Sequence, residues 1–234
     1  AKPSELALCG EDEVFILRLD SPADSAGEEV WTWRASDSPS LPDSMIPKFR
    51  TTDECKPVDG GGAVLITSSA DGVAIVDRET KDVRFWASAV NAHSAALLPG
   101  GLVAVAASHR DDAPGDRLVL FAPGAPGREL AHYELTWGHG AVWDSTRGLL
   151  YALADSYIRI FSIAPGETAL ADEGRIDLPS SGGHDLSPVP GTPYLSVSLG
   201  ESCWLLDRDM KGVVPHPVLA DSAGRIWVPR TDMR

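Results

Sequence analysis

CKPVDGGGAVLITSSADGVAIVDRETKDVRFWAS, residues 55–88, is the stretch whose reading decides the fold. It divides into CKPVDGG, AVLITSSA, GVAIVDRET and VRFWAS. Each piece is short and rich in Val, Ile or aromatic residues, and each is bounded by Gly, Asp or Ser. These are strand and hairpin signals. Four strands in about thirty-five residues make one antiparallel sheet, the size of a propeller blade.

The pattern recurs along the chain. HSAALLPGG, LVAVAASHR, RLVLFAPG and ELAHYEL follow within residues 93–135. GAVWDSTRG, LLYALADS, YIRIFSIA and GRIDLP occupy 140–179, and HDLSPVPG, YLSVSLGE, SCWLLDRD and VVPHPVL occupy 184–219. His93, His139 and His184 anchor these units, 46 and 45 residues apart, and Lys56 precedes His93 by 37. The expectation is an all-β, five-bladed β-propeller with four-stranded blades, in a single domain over residues 1–234.

At the N-terminus, ELALCGE, EVFILRLD and VWTWRAS align with the second, third and fourth strands of a blade. GRIWVPR, residues 224–230, supplies the missing first strand, so strands from both chain ends close the ring and remove exposed edges. A six-bladed parent is the alternative if the chain is truncated. Residues 36–53, with three prolines and four serines, read as a long loop. No stretch of eleven residues holds a helical apolar period. An all-β sandwich would not need a forty-residue repeat.

The composition excludes several functions. With 34 acidic against 20 basic residues the net charge is −14, so a phosphate backbone or an anionic membrane is repelled. No apolar run approaches the ~18 residues of a membrane span. Three cysteines, Cys9, Cys55 and Cys203, leave at least one unpaired within the chain, and without a C-x-x-C a structural zinc is not expected. Nucleotide loops, nucleophile elbows and H-E-x-x-H are absent. The expectation is a soluble, extracellular monomer that takes a small-molecule or oligosaccharide ligand, with neither nucleic acid nor membrane as partner.

In a propeller the first strand of each blade lines the central channel. Lys56, His93, His139 and His184 begin those strands, and Ser68, Ser69, His109 and Arg110 end the second strands on the same face. In an acidic protein this clustering is informative. His93, His139 and His184 are the expected catalytic residues. Lys56, His109, Arg110, Trp137 and Asp185 are expected to bind substrate, the cations holding an anionic group and Trp137 packing on a sugar face. Three imidazoles on one axis also suit one divalent transition metal, manganese or zinc, with His93, His139 and His184 as ligands. Without a metal they would serve as acid and base near neutral pH. The bland reading is that each histidine bonds a neighbouring blade's backbone. His132 and His216 belong to outer strands, and Trp31, Trp33, Trp86 and Trp204 to the packing between blades.

NAHSAALLPGG (91–101), HGAVWD (139–144) and GGHDLSPVPG (182–191) resemble a family of microbial, often secreted, propeller proteins whose function is not established. The resemblance runs from about residue 6 to residue 207. In that family the position of Ala96 is often a glutamate, and its absence here puts an acid role at that position in doubt. Trp143-Asp144 is a WD dipeptide, but it falls in a first strand, whereas tryptophan–aspartate repeats carry it at the end of the third. More distantly, one histidine per blade at the channel mouth is similar to oligogalacturonate lyases, which implies a metal-holding histidine ring and an acidic sugar. The function expected from residues and resemblance together is a carbohydrate-active lyase or hydrolase on an acidic or deoxy sugar. The alternatives are a non-catalytic sugar- or protein-binding propeller and a small-molecule biosynthetic enzyme using the same pocket.

Overall fold

The computed structural model describes residues 4–19, 27–217 and 219. Its strands form five antiparallel sheets, the blades of a five-bladed β-propeller. β1 (Ser4–Gly10), β2 (Glu13–Leu19) and β3 (Glu28–Arg34) make the first sheet. The expected ring-closing strand at 224–230 lies outside the described residues. The second blade is β4 (Thr52–Val58), β5 (Ala63–Ser68), β6 (Gly72–Asp77) and β7 (Val83–Ser88). The third is β8 (Ala92–Leu97), β9 (Val103–Ala107), β10 (Arg117–Phe121) and β11 (Glu129–Glu134). The fourth is β12 (Gly140–Asp144), β13 (Leu149–Leu153), β14 (Tyr157–Ser162) and β15 (Ala171–Asp177). The fifth is β16 (Asp185–Pro188), β17 (Tyr194–Ser198), β18 (Cys203–Asp207) and β19 (Gly212–Pro215).

The second, third and fourth blades are each covered on both faces by their neighbours. That is why their second strands, β5, β9 and β13, read as nearly unbroken buried runs rather than alternating ones. Every residue of β5 and of β9 is buried. Among the described residues four separate cores result, one at each interface between blades consecutive in the chain. The fourth and fifth blades, for instance, meet through Leu153, Ile158, Leu186, Leu195 and Val197. The inner strands are mutual neighbours: β8 packs against β4 and β12, and β12 against β16.

Residues 36–53 are not a plain loop. They carry 3-10 turns at Ala35–Asp37 and Ile46–Phe49, and Thr52 already begins β4. Leu41, Met45 and Phe49 are buried with Ser38 beneath them. Phe49 meets Trp33 edge-on at 5.4 Å, and the Trp33 indole N–H donates to Ser38 Oγ at 2.7 Å. Prolines and serines hid a connector that fills the core between the first two blades. Trp31 and Trp33 are buried in that core as expected, and Trp86 and Trp204 pack against their cores partly buried.

Candidate functional site

Two glycines bring the inner strands close where the histidines stand. A Cβ on Gly140, next to His139, would meet Leu186 Cβ at 2.6 Å and Leu153 Cβ at 2.9 Å. A Cβ on Gly183, next to His184, would meet the Ala154 carbonyl oxygen at 2.2 Å. Larger side chains there would push the fourth and fifth blades apart. With the blades this close, the three imidazoles form a loose, tilted stack, with interplanar angles of 37° and 34°. The His93 and His139 rings lie 4.2 Å apart between centroids, and those of His139 and His184 lie 4.9 Å apart.

A fourth group joins them. The β4–β5 register slips between Thr52 and Glu54, and the β8–β9 register slips between Ala92 and Ser94. Asp53 and His93 are thus the bulged residues of successive inner strands. A bulge re-aims a side chain, here toward the axis. Asp53 Oδ1 lies 3.4 Å from His93 Nδ1, and the Ser69 backbone N–H donates to Asp53 Oδ2. The stack therefore meets a carboxyl group, not the lysine expected at that place.

Lys56 lies further along β4 and within the channel. Its Nζ contacts Glu54 Oε1 at 2.9 Å, Ser94 Oγ at 3.2 Å and the carbonyl oxygens of Ala95 and Ala141 at 3.0 and 2.7 Å. An ammonium has three protons, so these four acceptors leave none for a substrate anion. Glu54 also accepts from the Ala95 N–H at 3.1 Å, and burial pushes its carboxyl above the usual range. Lys56 thus links three blades beneath the histidines.

The tautomer of His139 follows from its neighbours. Its Nδ1 lies 2.8 Å from the carbonyl oxygen of Trp137, which only accepts, so Nδ1 carries the proton. Nε2 is then the unprotonated nitrogen. Burial and the neighbouring His93 hold His139 down to about 4, and burial together with His184 does the same to His93. Both rings are neutral at pH 7, and the His93–Asp53 contact is polar rather than ionic. Asp53 moves the opposite way: its side chain is only 25% exposed, and burial raises its carboxyl above the usual range.

Around this centre runs a second set of residues. His109 Nδ1 lies 2.8 Å from Asp116 Oδ2, and its Nε2 lies 3.1 Å from Asp111 Oδ1. These carboxylates raise the His109 pKa, Asp116 most strongly. The ring stacks on Trp137 at 4.7 Å and 25°. Asp116 Oδ1 meanwhile accepts from the Trp137 N–H at 2.7 Å. Trp137 is 47% exposed and holds a left-handed φ of 51°, a conformation that a bulky residue adopts only when its surroundings enforce it. Arg110 is turned onto Asp71 at 2.6 Å and Asp112 at 2.8 Å. Asp185 is exposed and accepts from Ser187 Oγ at 2.8 Å. The structure thus assembles His93, His139 and His184, with His109 and Trp137 beside them. Lys56 and Arg110 are each occupied by protein carboxylates.

Among the described residues no group of three or more His, Cys, Asp or Glu is arranged to hold a metal ion. Two surface pockets, of about 340 and about 420 Å³, lie on outer strands around Arg159 and Arg84. Neither is lined by a histidine, and each of those arginines is paired with an aspartate. No helix among the described residues is long and apolar enough to cross a membrane.

The model of a family described as "Family of unknown function (DUF6528)" matches residues 16–198, and the chain belongs to that family. No curated protein matches the sequence. Among solved structures the chain is similar to Kuenenia stuttgartiensis hydrazine synthase, with a TM-score of 0.51 and 18% identity over 66% of this chain. The match spans 45% of that protein's chain, and at this identity the likeness shows the fold alone.

Proposed function

We propose that this DUF6528 protein is a carbohydrate-active enzyme whose proton-transfer site is the channel mouth, with His139 as base. The observation that carries the reading is the 2.8 Å hydrogen bond from His139 Nδ1 to the Trp137 carbonyl oxygen. It leaves Nε2 as a fixed lone pair on a ring that stays neutral across the physiological range. A base must be unprotonated and oriented before the substrate arrives, and this one is both. Asp53, with its carboxyl raised, is the matching acid. Environments that drive two neighbouring groups in opposite directions mark acid and base roles.

The electrostatics favour a hydrolase on an uncharged or deoxy sugar over a lyase on a uronate. A lyase must neutralise the uronate carboxylate, and Lys56, Arg110 and His109 are each engaged by Glu54, by Asp71 and Asp112, and by Asp111 and Asp116. In the hydrolytic version His139 Nε2 takes a proton from water as it attacks the anomeric carbon, and Asp53 gives one to the departing glycosidic oxygen. The exposed Trp137 ring offers an apolar face to the sugar.

The test is hydrolysis of a panel of neutral and deoxy aryl glycosides and oligosaccharides. Wild-type turnover should fall at least a hundredfold in His139→Gln and in Asp53→Asn, with thermal unfolding still cooperative. Unchanged turnover in both variants would overturn the reading. Binding without turnover in the wild type would favour a sugar-binding propeller, which the exposed Trp137 also supports.

A further inference from the structure

Cys9 stands on β1 and Cys55 on β4, in consecutive blades whose strands pack face to face. Both side chains lie partly buried against the same apolar core, beside Val14, Trp33 and Ile66. Each thiol is close enough to the other to be the largest influence on its pKa. Two cysteines on packed strands, turned into one core across a blade interface, are placed for a disulfide to join them. We infer that Cys9 and Cys55 are the two halves of an inter-blade disulfide that forms on exposure to an oxidising partner of the small-molecule disulfide class. Cys203, buried in β18 of another blade, is the thiol left over, which accounts for the odd number.

The two sulfurs differ in a way that gives the reaction a direction. The Cys55 thiol lowers the Cys9 pKa, although Glu54 and Asp53 oppose this, while Cys55 is raised by Cys9 and by burial. Cys9 is therefore the attacking thiolate. It displaces one thiol from the small disulfide and forms a mixed disulfide. Cys55 then loses its proton, attacks the Cys9 sulfur and expels the second thiol. Two protein thiols are oxidised and one external disulfide is reduced to two thiols.

The bond would close a loop that contains the 36–51 connector. It would also fix β4, the strand that presents Asp53, against the first blade. A covalent constraint of that loop length should raise Tm on the order of 5–10 °C.

The experiment treats the whole chain with oxidised glutathione, then unfolds and alkylates it and maps the peptides by mass spectrometry. The expected product has lost two hydrogens, carries a Cys9–Cys55 cross-linked peptide and an alkylated Cys203, and reverts with dithiothreitol. The Tm increase should persist in Cys203→Ser and vanish in Cys9→Ser. Alkylation of both Cys9 and Cys55 after oxidation, stable glutathione adducts on either, or a cross-link through Cys203 would each overturn the inference. None of these outcomes bears on turnover at His139, so this inference and the hydrolase reading fail separately.

Discussion

The carbonyl oxygen of Trp137 receives the Nδ1 proton of His139 at 2.8 Å, and this one bond joins the exposed rim of the channel mouth to the histidine stack. The same tryptophan is anchored through its N–H to Asp116, which also holds His109. A continuous polar path, His109–Asp116–Trp137–His139, therefore runs from the surface inward. The tryptophan's left-handed backbone is the geometry that lets its N–H and its carbonyl serve both ends.

Acidification should weaken the fold through the histidine stack. His93 and His139 fall from 6.5 to about 4 on folding, so the unfolded chain binds more protons between those values. Stability linked to them is fully present above pH 6.5 and is lost as the pH falls toward 4. The loss is about 3 kcal/mol per histidine at most. Urea unfolding at pH 7 and pH 4.5 should show the decline, and His93→Gln combined with His139→Gln should flatten it. An unchanged slope in the double variant would mean that other groups carry the effect.

Lys56→Met should destabilise the protein by roughly 3 kcal/mol, because it leaves Glu54 without its partner inside the channel. Adding Glu54→Gln should recover part of that loss. Denaturant midpoints measure both. A Lys56→Met protein as stable as wild type would show that the channel interior is solvated enough to dispense with the pair.

Asp116→Asn should bring the His109 pKa down toward 6.5, since its first partner can no longer accept with a charge. For this exposed histidine the sign is opposite to that of the stack. Its pKa is raised on folding, so its contribution is present below pH 6.5 and is lost as the pH rises through the folded value. An NMR titration of the His109 ring reads the change directly. If Asp116→Asn leaves the titration where it was, Asp111 alone sets it.

The propeller was legible because each blade repeats the same hydrophobic logic, and glycine, aspartate and serine mark its turns. The histidine stack was legible because His93, His139 and His184 recur at the blade period. Asp53 was not, for two reasons. Its surroundings, rich in proline and serine, read as loop, and its inward aim comes from a bulge, which alternation of residues does not reveal. Lys56 was misplaced for the same reason, since a one-residue slip moves a side chain from the rim into the channel. Of the partners that neutralise Arg110 and His109, Asp111, Asp112 and Asp116 share their loop between β9 and β10, whereas Asp71 comes from a turn of the second blade that only the folded chain brings near. The Cys9–Cys55 pair likewise spans two blades.

The central claim is that His139 presents a permanent lone pair at Nε2, and nitrogen-15 NMR of the histidine rings measures this directly. From pH 5 to pH 8 the account predicts one tautomer for His139, with Nδ1 protonated, Nε2 bare and no titration near 6.5. A His139 ring that titrates near 6.5, or that carries its proton on Nε2, would contradict it.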